Sequence, residues 1–157
     1  LSTNPMHRTV FIAIVVLLLT SCQEVAFYER NSVIPGQLWD NGFKPHFEVD
    51  VKNKQDKYDL FINLRHTAYY PYSNFSFGIK QKGLGIQDSS AHFDIKLAET
   101  DGRWIGASAG NLYEQTKLLQ ENFTFPDTGK YVFSIQQNMR DNPLRGINDV
   151  GIKLIKK

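Results

Sequence analysis

The sequence is poor in the features that mark chemistry most directly. It contains a single cysteine, Cys22, so it can form no intramolecular disulfide. Its 18 basic and 16 acidic residues leave a formal charge of +2, which gives no support for nucleic acid or an anionic membrane surface as a partner. Repeats at a fixed period, heptads and low-complexity tracts are also lacking, which argues against solenoids, propellers and coiled coils.

Long apolar runs are scarce as well. The longest covers residues 10–19, and as a helix it would span only about 15 Å, roughly half of a bilayer core, so a permanent membrane-spanning helix is excluded. A basic residue, Arg8, precedes this run and small residues follow it, which is the layout of an export signal. We therefore expect residues 1–21 to form a signal-peptide helix, with initiation at Met6 and residues 1–5 as an upstream extension.

The one cysteine follows this signal directly. Residues 19–22, Leu-Thr-Ser-Cys, resemble the lipobox of bacterial lipoprotein precursors, in which the cysteine thiol receives a diacylglyceryl group and the signal is cut just before it. The expected cut lies between Ser21 and Cys22. The alternative is a buried cysteine beside an apolar helix. Because two or three acyl chains anchor a protein stably, at about 0.8 kcal/mol per buried CH2, we expect permanent membrane binding through acyl chains on Cys22.

The segment after the cysteine has a different composition from the rest of the chain. Polar residues predominate there and are interrupted by Pro35, Gly36 and Gly42. We therefore predict that residues 22–44 are the lipidated cysteine and a tether whose first half is flexible. A short first strand around Phe27 stays open, because this run lacks clean alternation.

From residue 45 onward, hydrophobic residues recur with a period of two, which is typical of strands with one buried face. In the first such segment, Phe47, Val49 and Val51 alternate with acidic residues. Six segments are predicted as strands: 47–51, 58–65, 75–80, 93–97, 131–136 and 150–154. Segments 118–125 and 104–105 are weaker candidates for two more strands.

Turn-forming residues separate these segments, and no stretch after Cys22 sustains helical spacing. The predicted fold class is therefore all-β, a two-sheet antiparallel β-sandwich of jelly-roll or immunoglobulin-like type over residues 45–157, preceded by the signal-peptide helix. A closed barrel is the alternative. Eleven Phe and seven Tyr residues supply large side chains for the core.

No set of residues predicts catalysis. Ser90, His92 and Asp94 look like a nucleophilic triad, but residues two apart on a strand are separated by about 6.6 Å, beyond the reach of about 2.6 to 3.2 Å that a base and a nucleophile need. Glu99 and Asp101 could join Asp94 as paired acids for glycoside hydrolysis, yet nothing in the sequence indicates their desolvation. The histidines lack a metal-ligand spacing such as His-x-x-x-His. We predict a non-enzymatic protein without a metal or cofactor.

Aromatic residues in loops offer the clearest candidates for binding. Flat rings on the edge of a sandwich can bind a sugar or a protein partner, whereas buried rings fill the core. The segments Tyr-Pro-Tyr at 70–72 and Asp-Gly-Arg-Trp at 101–104 are loop sequences, and loops on a rigid scaffold commonly bind partners. We therefore predict partner-binding loops that contain Tyr70, Tyr72, Arg103 and Trp104. A glycan-binding surface module is the alternative function.

Six segments in chain order resemble the GldH gliding-motility lipoproteins of Bacteroidetes-type bacteria. They are DLFINLR at 59–65, YPYSN at 70–74, DGRWIG at 101–106, FPDTGKY at 125–131, IQQNMR at 135–140 and GINDVG at 146–151. The resemblance implies a non-enzymatic lipoprotein of the cell envelope that is needed for gliding and works alongside other gliding lipoproteins and the type IX secretion apparatus. It offers no catalytic residue, and Cys22 is the position whose role it transfers. The outer membrane is the expected location, while its face and the direct partner stay open.

Overall fold

The computed structural model describes residues 25–83 and 86–157. The predicted signal peptide, its cleavage position at Ser21 and the lipidation site at Cys22 lie outside these residues. The described chain consists of strands, joined by turns and by one 3-10 segment, Pro35–Gln37. The strands are β1 (Tyr28–Val33), β2 (Leu38–Trp39), β3 (His46–Val51), β4 (Tyr58–Thr67), β5 (Asn74–Gly83), β6 (Ile86–Lys96), β7 (Ala107–Ala109), β8 (Leu112–Phe123), β9 (Gly129–Gln137), β10 (Leu144–Arg145) and β11 (Ile147–Lys156). The all-β prediction is confirmed.

The strands form two main sheets that share one hydrophobic core. One sheet has five strands in the order β1-β11-β4-β8-β7, and the other has four in the order β3-β9-β5-β6. A short ribbon of β10 and β2 lies beside them. All of the paired strands run antiparallel. This arrangement confirms the predicted two-sheet antiparallel sandwich.

The six strands predicted from the period-two pattern are all present, as β3, β4, β5, β6, β9 and β11. In β3, Phe47, Val49 and Val51 are buried and the residues between them are exposed, because successive side chains of a strand point to opposite faces. Aromatic and branched side chains from both sheets fill the core, among them Tyr58, Ile62, Leu64, Phe75, Phe77, Tyr131, Phe133 and Ile135. The hydrophobic alternation therefore identifies the buried face of each of these strands.

The two weaker strand predictions have different outcomes. Segment 118–125 lies largely in β8, which runs from Leu112 to Phe123 and so begins earlier than predicted. Residues 104–105 form no strand, and Trp104 makes an isolated bridge to Ala98. The start of β8 was missed because most of its side chains are exposed or half-buried, so they follow no clean alternation.

The boundary between tether and domain lies earlier than the predicted residue 45. β1 begins at Tyr28 and pairs with β11 along its whole length. Trp39 is fully buried, and its indole nitrogen donates a hydrogen bond of 2.9 Å to the carbonyl of Phe43. The pattern concealed β1 because it is an edge strand, joined by backbone hydrogen bonds while most of its side chains stay exposed. Of the predicted tether, residues 28–44 therefore belong to the folded domain.

The pairing register gives the sandwich two distinct ends. At the end where β1 begins, Tyr28 lies opposite Leu154, and Tyr58 lies opposite Lys156 and Phe123. We call this the anchor end, because it is the end nearest in sequence to Cys22. The other end, the loop end, consists of segments 34–45, 68–73, 97–106 and 138–146. The ten residues of β4 separate the two ends by about 33 Å.

Candidate functional site

The predicted partner-binding residues all lie at the loop end, around a buried histidine. His66 continues the core-facing side of β4 and is fully buried. The centres of three aromatic rings lie near its imidazole: Trp104 at 4.6 Å, Tyr113 at 5.5 Å and Tyr70 at 5.6 Å. These four side chains, which we call the His66 cluster, join β4, β8 and two loops into one support for the loop end.

His66 is held as a neutral ring. Its Nδ1 lies 3.0 Å from the carbonyl oxygen of Thr67, and because a carbonyl only accepts, Nδ1 carries the hydrogen. The other ring nitrogen, Nε2, has no hydrogen-bond partner in the described part of the chain. Burial among aromatic rings lowers the pKa of His66, and the Thr67 carbonyl opposes this shift only in part.

Tyr70 does not present its ring at the surface. It is 3% exposed, and its hydroxyl donates a hydrogen bond of 2.8 Å to the carbonyl of Asn74. Gly146, at φ +88°, lets the Tyr70 backbone approach so closely that a Cβ there would lie 2.7 Å from it. The assignment of Tyr70 to a partner-binding surface is therefore corrected: Tyr70 fills and shapes the loop end. Its neighbour Tyr69 is 81% exposed and takes the position expected of a contact residue.

Arg103 and Trp104 have different environments although they are adjacent. Trp104 is half-buried in the His66 cluster and packs against the core. Arg103 is exposed, and its Nε donates a hydrogen bond of 2.9 Å to the carboxylate of Asp101. This hydrogen bond lowers the pKa of Asp101. Arg103 is therefore the accessible member of the predicted pair, and Trp104 is the member that packs against the core.

Tyr72 lies at the edge of an open cleft. Its ring packs edge-on against Tyr70, with centres 5.9 Å apart, and a hydrogen bond with Asp141 raises its pKa. The cleft has a volume of about 390 Å³ and is lined by Tyr72, Asn74, Ser76, Asn138, Met139 and Arg140. Residues 138–140 were not predicted as site residues, since only the fold brings them beside Tyr72. The cleft offers amide, hydroxyl, guanidinium and aromatic groups on one surface.

The residues considered for catalysis are engaged elsewhere. The Asp94 carboxylate accepts hydrogen bonds from Asn74 and Ser76 across the sheet, rather than from His92. Glu99 pairs with Lys96, just as Asp101 pairs with Arg103. Within residues 25–83 and 86–157, no group of three or more His, Cys, Asp or Glu side chains is placed to hold a metal ion. The same residues include no helix long and apolar enough to cross a membrane.

Comparison with known proteins places these features in a family. The family model described as GldH lipoprotein matches residues 26–154. A gliding motility lipoprotein GldH homolog from Christiangramia forsetii is 33% identical, over 94% of this chain and 95% of that protein. The gliding motility lipoprotein GldH of Flavobacterium johnsoniae is 26% identical, over 90% of this chain and 91% of that protein.

A solved structure of the tobacco streak virus coat protein also aligns with 86% of this chain and 90% of its own, at 10% identity and a TM-score of 0.27. A score this low carries no argument about fold or function. The family match and both GldH relatives extend over almost all of the described residues, the loop end included. The chain therefore belongs to the GldH family of gliding-motility lipoproteins, which are lipid-anchored proteins of the cell envelope.

Proposed function

We propose that this lipoprotein is a non-enzymatic subunit of the gliding-motility and type IX secretion machinery, anchored to the outer membrane through acyl chains on Cys22. Its loop end binds another lipoprotein of that machinery. The observation that carries the proposal is that the chain entry and the exposed loop residues lie at opposite ends of the domain. The chain enters at the anchor end, whereas the exposed Tyr69 and Arg103 lie about 33 Å away at the loop end.

The length of the tether supports this orientation. Six peptide units separate Cys22 from Tyr28, where β1 begins, and fully extended they span roughly 20 Å. The anchor end therefore stays within roughly 20 Å of the lipid surface. A tether shorter than the domain confines the anchor end and lets the loop end extend away from the membrane, where a second envelope protein can reach it.

The surface chemistry of the loop end suits a protein partner. Tyrosine and arginine are over-represented among the residues that dominate binding energy at protein interfaces. Tyr69 and Arg103 are exposed, and the His66 cluster beneath them fixes the loops to the sheets. A rigid support lowers the entropy lost when such loops are ordered on binding.

A pair of matched variants tests the role of the loop end. Arg103 pairs with Asp101 two residues before it, and Lys52, near the anchor end, pairs with Asp50 in the same way. In cells deleted for the gene, Arg103→Glu should restore colony spreading and cargo secretion poorly, while Lys52→Glu should restore both. Equal rescue by the two variants would refute the assignment of the loop end. Normal spreading and secretion in the deletion strain would refute the proposed function itself.

The anchor has its own test. Cys22→Ala should abolish labelling by radioactive palmitate and leave an uncut precursor, since the proposed thioether cannot form. Labelled palmitate on that variant would contradict the lipidation site. Fractionation of the wild-type envelope should recover the protein with the outer membrane, and recovery with the inner membrane would correct the proposed location.

One observation favours a second candidate function, glycan binding. The cleft beside Tyr72 combines a ring face with amide and guanidinium groups, which are common saccharide contacts. Burial of Tyr70 removes one of the rings on which this alternative was based, so it now depends on Tyr72. Titration calorimetry with envelope polysaccharide should then show binding that Tyr72→Ala removes, and an absence of heat with the wild-type protein would eliminate this function.

A further inference from the structure

The two sheets differ by one strand. β1 and β3 lie together at one side of the sandwich, where they line a common groove. At the other side β8 lies over β6, and Gln115 of β8 donates a hydrogen bond of 3.2 Å to the carbonyl of Lys96 at the end of β6. β7 then extends the five-stranded sheet beyond β8. The four-stranded sheet has no strand opposite β7 among the described residues, and all three residues of β7 are exposed.

A crevice opens between the sheets on the same side as β7 but nearer the anchor end. It has a volume of about 130 Å³ and is lined by Leu60, Ile79, Gln81, Ser89, Ser90, Ala91, Phe93, Gln120, Phe123 and Phe133. The crevice has its origin in β6, where the core-facing side chains change from Ile95 and Phe93 to the small Ala91 and Ser89. We call this space the β6–β8 crevice.

A buried amide without an acceptor faces the β6–β8 crevice. Gln81 lies opposite Ser89 in the pairing of β5 with β6 and is 8% exposed. Its Nε2 has no hydrogen-bond partner among the residues that the structure describes. Buried polar groups in folded proteins nearly always have hydrogen-bond partners. The Gln81 amide is therefore suited to donate a hydrogen bond to an acceptor on another chain.

The middle of β6 lacks the usual protection of an edge strand, and the charged Asp94 and Lys96 lie only toward its loop end. Edge strands commonly carry charged residues or proline, which discourage pairing with another chain. On the opposite side of the sandwich β1 carries Glu29 and Arg30, and β3 carries Glu48 and Asp50. Residues 89–92 of β6, Ser-Ser-Ala-His, are all exposed and include neither lysine, acid nor proline.

We propose that an extended segment of a partner polypeptide pairs with β6 as a fifth strand of the smaller sheet. One of its apolar side chains enters the β6–β8 crevice, and a side-chain oxygen on the same face of the added strand accepts a hydrogen bond from Gln81. Such strand addition is an established mode of peptide recognition, in which backbone pairing supplies affinity and pockets supply specificity. The crevice is small, with a volume of about 130 Å³, and so suits one branched side chain.

The test uses the mature acylated protein in detergent and a synthetic peptide. In this peptide threonine alternates with valine around one central leucine, with lysine at both ends for solubility. Hydrogen exchange measured by mass spectrometry should slow by about tenfold at residues 89–92 when the peptide is added. Exchange in β1 and β3, which carry charged side chains, should not change.

Three variants separate binding from folding. Ala91→Leu fills the crevice, so it should raise the melting temperature by about 2 to 6 °C and abolish the protection by the peptide. His92→Leu adds the same side chain at an exposed position of β6 that does not line the crevice, and should leave the protection intact. Gln81→Met keeps the shape of the side chain but removes the hydrogen-bond donor, and should weaken peptide binding by roughly tenfold.

The outcomes are decisive in both directions. Unchanged exchange in the wild-type protein would overturn the proposal, as would full protection in Ala91→Leu. If Ala91→Leu does not fold, Ser89→Val fills the same space with a smaller change and is judged by the same criterion. Because the readout is peptide binding, it does not depend on whether the loop end acts in motility.

Discussion

Acid should weaken this domain through His66. The ring is fully buried, and its Nε2 has no partner among the described residues, so protonation would place an unpaired charge among aromatic rings. The unfolded chain takes up a proton at this histidine near pH 6.5, whereas burial lowers the pKa in the folded state. As the pH falls below about 6.5, the unfolded state binds more protons than the folded state, and the free energy of unfolding must fall.

The size of this effect has an upper bound. Each pH unit below about 6.5 removes up to about 1.4 kcal/mol until the folded pKa is reached, so acidification to about pH 5 removes at most roughly 2 kcal/mol. For a domain of this size that corresponds to a decrease in melting temperature of roughly 6 to 10 °C. The stability contributed by the neutral ring is fully present above the unfolded pKa.

Thermal unfolding of the mature lipoprotein in detergent, from pH 8 to pH 5, measures this loss. His66→Phe should flatten the pH dependence while changing the stability at pH 8 little, because the ring volume is kept and one hydrogen bond is lost. His46→Gln and His92→Gln serve as controls, since both positions are exposed and both variants should keep the wild-type slope. A slope in His66→Phe equal to that of the wild type would refute the reasoning.

Three further changes test the packing of the five-stranded sheet and the loop end. Asp149→Ala should lower the free energy of unfolding by about 2 to 4 kcal/mol in urea titrations, because the buried Asp149 accepts hydrogen bonds of 2.8 and 2.9 Å from the half-exposed Arg65. Gly151→Ala should detach β1 and speed its hydrogen exchange, because the new Cβ would lie 2.3 Å from a β1 carbonyl oxygen. Trp39→Phe should cost about 1 to 3 kcal/mol in thermal unfolding, because it removes the 2.9 Å hydrogen bond to Phe43 and part of the buried volume. Wild-type stability or exchange in any of these variants would contradict its explanation.

Strands with one buried and one exposed face could be predicted from the sequence, and strands at an edge could not. β3 has a buried face of Phe47, Val49 and Val51, and the sequence shows this face as an alternation of hydrophobic and polar residues. β1 is paired just as completely, but its pairing uses backbone groups that carry no side-chain pattern. Trp39 lies in the segment predicted to be the tether, and its burial could not be predicted because it depends on contacts with distant segments.

The candidate site was only partly predictable for a related reason. The sequence identified Tyr70, Tyr72, Arg103 and Trp104 as loop residues, and the structure places all four at one end of the sandwich. It could not separate the buried Tyr70 from the exposed Arg103, because both lie in polar, turn-rich segments. The sequence does contain one indication that His66 is buried, because this residue continues the core-facing positions of β4 by one further step of two residues.

The anchor, the loop end and the β6 edge have a geometric relation that constrains how they can act together. The strands run between the anchor end and the loop end, so the free edge of β6 extends along the side of the domain and, in the proposed orientation, away from the membrane. A partner strand paired with β6 would run along the same axis and leave the loop end uncovered. The two proposed contacts are therefore compatible, and Ala91→Leu and Arg103→Glu should each disrupt one contact without disrupting the other. A double variant no worse in colony spreading than either single variant would instead indicate that one partner occupies both surfaces.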